Sequence, residues 1–164
     1  MSYLKIKKAR SALLVFLTHR MALPLLKLMR KERKFPFSVD ALKQFPENSL
    51  GRDLVAFLNK KELELLPYYA RHDIKHILLN YDTTEEGEVC LQCFMLGNGH
   101  LSFPVLATVV YGIVLMPEYW PIFQKAYRKG KKVQPISSWN WYGILHEQTS
   151  KLRTQIDNNK KNYL

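Results

Sequence analysis

Two histidines and five carboxylates fall close together in the segment HDIKHILLNYDTTEEGE, residues 72–88, and four of these side chains have spacing that could hold a metal. His72 and His76 are four positions apart, so on a helix their imidazoles stand one above the other and can reach a single ion from one face. Asp73 lies roughly 100° further round that helix, near enough to join the ion or to orient its ligands. Glu88 arrives from a separate stretch across a turn-like link. His72, Asp73, His76 and Glu88 together make a candidate metal site. Imidazole and carboxylate suit a divalent ion, zinc or else iron or manganese, and two carboxylates balance its charge. His72, His76 and Glu88 alone could form the facial triad of a non-haem iron centre, leaving Asp73 as a proton acceptor. The plain alternative is a helix surface with two ordinary histidines and nearby acids, since HxxxH is common by chance.

For these side chains to meet, two helices must run antiparallel across a short link. Pro67 is well placed to open the first, and Asn80 can take the left-handed conformation that stops it, leaving Tyr81-Asp82-Thr83 as the link. Thr83 with Glu86 three residues later reads as a capping box for the second helix. Glu88 then falls in the second turn and can face back toward the histidines. Gly97-Asn98-Gly99 ends that helix; without a preceding strand it is a stop signal and not a nucleotide loop. Within the helix, Cys90 and Cys93 form a lone CLQC that reads as core packing, because a redox pair would follow a strand and a zinc site would want a second pair. No disulfide framework is implied, so a reducing compartment is the default.

The remaining punctuation favours helices nearly everywhere. A first helix is expected from about Ser2 to Arg33, bent near Pro24 and ending before Phe35-Pro36-Phe37. SVDALKQF can be a short helix or a loop. Ser49 can cap a helix through Asn59 with Leu50, Leu54, Phe57 and Leu58 on one face. SFPVLATVVYGIVLM, too short to cross a bilayer comfortably, reads as a buried central helix, though its β-branched content leaves a strand open. Further helices are expected at about Glu118–Gly130 and, past a loop through Pro135, at about Trp139–Asp157. With 164 residues, 47% of them apolar and 12% aromatic, the chain has material for one core and is not disordered. The expectation is an all-α fold: one compact helical domain, residues 1–164, of about six to eight helices.

The formal charge of +11 is unevenly spread. Before position 35, Lys5, Lys7, Lys8, Arg10, Arg20, Lys27, Arg30, Lys31, Arg33 and Lys34 face one acid, Glu32. A smaller basic group follows at Lys125, Arg128, Lys129, Lys131 and Lys132. Such charge calls for an anionic partner, nucleic acid or a membrane surface. The interleaved ALLVFLTHRMALPLLKLM favours the membrane: residues 1–34 read as a basic amphipathic segment, with Lys5, Lys7, Lys8 and Arg10 at an anionic lipid surface. His19 and Arg20 interrupt the apolar run too early for a span. The alternative is that the apolar residues bury against the domain while the cations face water.

The whole string His72-Asp73-x2-His76-x11-Glu88, preceded by Tyr68, Tyr69 and Arg71 and with Gly87-Glu88 before an apolar helix, resembles the signature of the Coq-four-like family of ubiquinone biosynthesis proteins. Ser49-Leu50-Gly51 is similar to the family's upstream Leu-Gly element. Gly130-Lys131-Lys132 and the segment from Trp139 to Ile156 are similar to its closing basic loop and last helix. The resemblance covers roughly Leu50 onward, and its specific part is HDxxHx11E.

It implies metal ligands at His72, Asp73, His76 and Glu88, and a helical protein peripherally attached to a membrane. It also implies roles in organising a quinone-biosynthesis complex and in replacing the C1 carboxyl of a polyprenylated benzoate by hydroxyl. A prenylated aromatic or isoprenoid lipid is then the expected partner, with other quinone-biosynthesis proteins or a second copy beside it. Two departures stand out: Asn80 replaces the glycine usual after the histidine helix, and the chain is shorter than many members, with no clear mitochondrial transit peptide. A bacterial relative acting on a different lipid or quinone is therefore the alternative. The expected location is cytoplasmic at a membrane, or else the matrix face of the mitochondrial inner membrane.

Two readings of function follow. In the first, the metal polarises the carboxylated ring and Asp73 is a catalytic proton acceptor. In the second, the protein is a non-catalytic lipid-binding scaffold with a structural metal. An HExxH-type metalloprotease is weaker, because the glutamate base is here the shorter Asp73. Nucleic-acid binding is weaker too, needing one aromatic-lined basic groove.

Overall fold

Ser38, Ser49 and Thr84 each hold an extended backbone, and each side-chain oxygen accepts from the N–H three residues on, at Ala41, Arg52 and Gly87. The bonds are 3.2, 3.3 and 3.2 Å long and satisfy amides that a helix start leaves unpaired. They begin three helices: α1 (Val39–Lys43), α2 (Leu50–Lys60) and, after α3 (Ala70–Leu79), α4 (Glu85–Gly97). There follow α5 (Phe103–Leu115), a short 3-10 turn at Pro117–Tyr119, α6 (Trp120–Lys132), a second 3-10 turn at Gly143–His146, and α7 (Thr149–Asn158). The computed structural model describes residues 34–158 and, before them, Ala12 alone. The expected helix at Ser2–Arg33 and the lysines and arginine at 5, 7, 8 and 10 lie outside these residues. Among the described residues the fold is all-α, as expected.

Leu50, Leu54 and Leu58 of α2 turn one apolar stripe inward, where they meet Ile74 and Leu78 of α3 and Leu91, Phe94 and Met95 of α4 in the larger core. A second core lies between α4, α5 and α6, built from Val89, Cys90, Cys93, Val109, Met116, Phe123 and Ala126. Tyr81 and Leu96 pack against both. α4 therefore serves as the wall shared by the two cores. It also crosses α6 at very close range. A Cβ on Gly97 would sit 2.1 Å from the Tyr127 carbonyl oxygen, and one on Gly130 would sit 2.1 Å from that of Phe94. Only paired glycines let two helix backbones touch in this way.

Asn98, buried just past the end of α4, secures that crossing. Its amide nitrogen donates to the carbonyls of Gly130, Val133 and Gln134 at 3.1–3.3 Å, and its side-chain oxygen accepts from the Ile136 N–H at 2.9 Å. α7 fixes the other side: the Arg153 guanidinium donates to the Ile77 carbonyl at 2.7 and 3.3 Å, pinning the last turn of α3.

The structure corrects several expected elements. The α4 cap is Thr84 and not Thr83, because the Asp82 carboxylate takes the Thr83 N–H at 2.6 Å; position N3 is then Gly87, which has no side chain to complete a capping box. Pro67 opens a turn, and α3 itself starts at Ala70. The closing helix begins at Thr149 and not near Trp139. Asn140 turns the chain by accepting the Gly143 N–H, and a short antiparallel bridge pairs Ser49 with Gln148 before α7 starts. The segment expected as a buried central helix is a helix, but only Val105, Val109, Tyr111 and Gly112 of α5 are buried. Its other side is open.

Candidate metal centre

Helical spacing brings His72 and His76 together on α3, their ring centroids 4.6 Å apart. The left-handed Asn80 (φ 57°, ψ 43°) stops α3 and turns the chain back, as its side chain permits. The link is then held from both ends. Lys61 reaches Asp82 at 2.6 Å, and Gly87 lets the Asp82 carbonyl oxygen lie where a Cβ would come within 2.1 Å of it. Gly87 is the residue before Glu88, so this close approach sets where the Glu88 side chain leaves α4.

Glu88 points at both imidazoles. Its Oε1 is 3.0 Å from His76 Nε2 and its Oε2 is 3.3 Å from His72 Nε2. The ligand atoms of His72, His76 and Glu88 all lie within 4.8 Å of one another. Asp73 stands outside this trio. Its Oδ1 is 3.9 Å from His72 Nδ1, on the far side of the ring from Glu88, where it can orient His72. Of the four expected ligands, three converge and the fourth backs one of them.

His76 is 2% exposed, and its Nδ1 lies 3.0 Å from the Tyr81 carbonyl oxygen. A carbonyl can only accept, so Nδ1 carries a proton and Nε2 is the ring atom left to take a metal ion or a second proton. Nε2 has no hydrogen-bond donor, and what it faces is a carboxylate oxygen. Two lone pairs 3.0 Å apart call for a cation or a proton between them. The donor set, two imidazoles and a carboxylate with one nitrogen pre-set as a ligand, fits a divalent ion.

Without that ion His72 and Glu88 behave as a half-buried ion pair over the buried His76. Burial alone would lower the pKa of His72, but the Asp73 and Glu88 carboxylates outweigh it and hold the group up at about 9. Burial would raise Glu88; the two imidazoles that face its oxygens overcome this and hold its carboxyl well below the usual range. Next along α4, burial pushes the Cys90 and Cys93 thiols up to about 11 and about 12. They are free, buried and part of the second core, as expected for packing residues. The Tyr81 carbonyl is the site component that sequence reasoning missed. No residue type announces a backbone acceptor.

An all-helical domain that joins an HDxxH helix to a glutamate on the next helix, through a glycine that sets the glutamate's place, defines a small class of helical proteins with a candidate metal centre. The chain belongs to the family described as coenzyme Q (ubiquinone) biosynthesis protein Coq4, whose profile matches residues 65–161. Membership carries a role in ubiquinone biosynthesis. The fold is also that of a crystal structure from Nostoc punctiforme, of a protein provisionally assigned to ubiquinone biosynthesis. The likeness has a TM-score of 0.61 at 21% identity, over 93% of this chain and 81% of that one. No curated protein matches the chain. Among the described residues no single helix is long and apolar enough to cross a membrane.

Proposed function

We propose that His72, His76 and Glu88 hold a divalent metal ion at which a membrane-derived, prenylated aromatic carboxylate loses its C1 carboxyl and gains a hydroxyl. The observation that carries this reading is the Nε2 of His76, buried without a hydrogen-bond partner and held by the Tyr81 contact 3.0 Å from the Glu88 carboxylate. In such a reaction the ring–carboxyl bond breaks and carbon dioxide leaves, an oxygen from water bonds to the ring carbon, and one proton is released. Two electrons pass to an external oxidant such as dioxygen. A redox-active ion such as iron supplies the electron path, whereas zinc supplies only Lewis acidity. The chain's own residues hold the site in shape. Glu88 bridges the two helices, Tyr81 sets the tautomer of His76, and Asp73 orients His72 and can accept a proton relayed through its ring.

A second reading is favoured by one feature: the three ligands belong to consecutive helices joined by a short link, so an ion there would also clamp α3 to α4. On that reading the protein is a lipid-presenting scaffold for other quinone-biosynthesis proteins. The two separate in one comparison. Elemental analysis of the full chain and of Asp73→Asn should find the same metal content, while product formation from a prenylated 4-hydroxybenzoate should fall at least tenfold in the variant. Equal turnover in both would remove Asp73 from the chemistry. Metal-loaded protein with no turnover under any oxidant would leave the scaffold.

A further inference from the structure

α5 is apolar on both sides. Its inner stripe, Val105, Val109 and Gly112, backs onto α4, where Gly112 lies directly against the side chain of Val89, the neighbour of Glu88. Its outer stripe, Phe103, Leu106, Val110, Ile113 and Val114, repeats at helical spacing and stands open, with Phe103 62% and Val114 66% exposed. A helix on the surface of a water-soluble domain carries polar residues there. Apart from Leu63, Leu66 and Tyr68, every large apolar side chain left exposed among the described residues falls between Leu101 and Tyr127. An apolar concentration of this kind marks an interaction surface.

The stripe continues around a corner. α5 meets the segment Pro117–Lys132 at 102°, and the indole N–H of Trp120 donates to the Ile113 carbonyl at 2.8 Å, laying the exposed Trp120 against the outer turn of α5. With its polar atom satisfied, that ring can enter an apolar phase with no unmet donor. Beyond Trp120 and Ile122, α6 turns basic: Lys125, Arg128, Lys129, Lys131 and Lys132 are all exposed. Between positions 101 and 132 the sequence holds a single acid, Glu118.

We infer that the α5–α6 corner is a membrane-docking surface, its apolar stripe entering the acyl boundary of a bilayer with anionic headgroups met by the cations of α6. Charge selects the lipid surface over a second copy of the chain. Self-pairing of this face would bring two basic α6 helices together: Glu118 is the single acid between positions 101 and 132, and Asp157 of α7 pairs with Lys129 alone, at 3.3 Å. Apolar stripe, interfacial Trp and Tyr, and flanking cations are the elements of an interfacial helix. The inference rests on the proposed function only for its purpose, delivery of a lipid to the helix next to Glu88; its evidence is independent of the metal.

The test uses the full chain and vesicles of phosphatidylcholine with or without phosphatidylglycerol. Wild-type protein should sediment with the anionic vesicles, and Val110→Asp/Val114→Asp should lower the partition coefficient at least tenfold. Lys125→Glu/Arg128→Glu should lose roughly tenfold on anionic vesicles and little on neutral ones, with added salt mimicking it. Because residues 1–33 can also bind lipid, a second measurement isolates the corner. Brominated lipids should quench the part of the tryptophan emission that Trp120→Phe removes. No quenching of that part, or unchanged partition of the double aspartate variant with native circular dichroism, overturns the inference. So does conversion by that variant of a dimer into a monomer at unchanged vesicle binding. His76→Ala serves as the separating control. If it binds vesicles like wild type but lacks metal, docking and metal chemistry stand or fall separately.

Discussion

His76 and Tyr81 are joined by a 3.0 Å contact from an imidazole nitrogen to a backbone carbonyl, made across the turn that ends α3. The contact decides which nitrogen of His76 is free. It therefore makes the link between the helices, as much as the helices themselves, part of what orients the ligands.

Removing a ligand should empty the site. Glu88→Gln keeps the shape of the side chain and replaces an anionic donor by a neutral amide, so affinity for zinc or ferrous iron should fall roughly a hundredfold or more. Competition against a chelating dye measures this. Wild-type affinity in the variant would show that the ion, if bound, sits elsewhere.

The metal-free protein should show a definite pH profile. The folded-state pKa of His72 is raised from 6.5 to about 9, so its contribution to stability is complete below 6.5 and lost as pH rises through about 9. Glu88 is held below its ordinary 4.5, so its contribution is present above that value and lost as pH falls through its lower folded one. Both are complete between 4.5 and 6.5. Chemical denaturation of metal-free protein should show stability declining from there toward pH 9. Metal binding must displace the His72 proton, so apparent affinity should climb about tenfold per pH unit until about pH 9.

Gly87→Ala should damage both fold and site. The added methyl meets the backbone of Asp82 and not a side chain that can swing away, so the link must move. A loss of about 1–3 kcal/mol is expected, together with weakened metal binding as Glu88 shifts. Thermal melts with and without metal would reveal it. An alanine variant that binds metal normally would show that the link is compliant.

Asn98→Ala should be costly although the residue is far from the metal. It leaves the Ile136 N–H and the carbonyls of Gly130, Val133 and Gln134 without their partner in a buried place. Roughly 2–4 kcal/mol of destabilisation is expected in urea unfolding, with metal affinity retained by the folded fraction.

The site was more legible than its surroundings, for physical reasons. His72 and His76 follow from the pitch of one helix, and the turn at Asn80 with the short link leaves α4 nowhere to go but back, which brings Glu88 round. These are local rules. Sequence alone puts the start of α4 one residue early, because the competition between Asp82 and the helix for the Thr83 N–H is settled by geometry that no residue type announces. The closing helix looks longer in the sequence than it is, because apolar residues at Trp139, Trp141 and Ile144 mimic helical spacing, while Asn140 and Gly143 turn the chain there. The open side of α5 was not legible at all. A helix apolar all round does not say which side the rest of the chain will cover, and here the core covers only one.

At the crossing of α4 and α6, Gly97 and Gly130 place backbone against backbone. Most helix pairs slide by repacking side chains between them. This pair has none at the point of contact, so α6 cannot tilt without levering α4. From Gly97 back to Glu88, α4 is a stiff rod about 13 Å long at 1.5 Å per residue. A push on α6 from outside would thus reach the helix that carries the carboxylate at its other end.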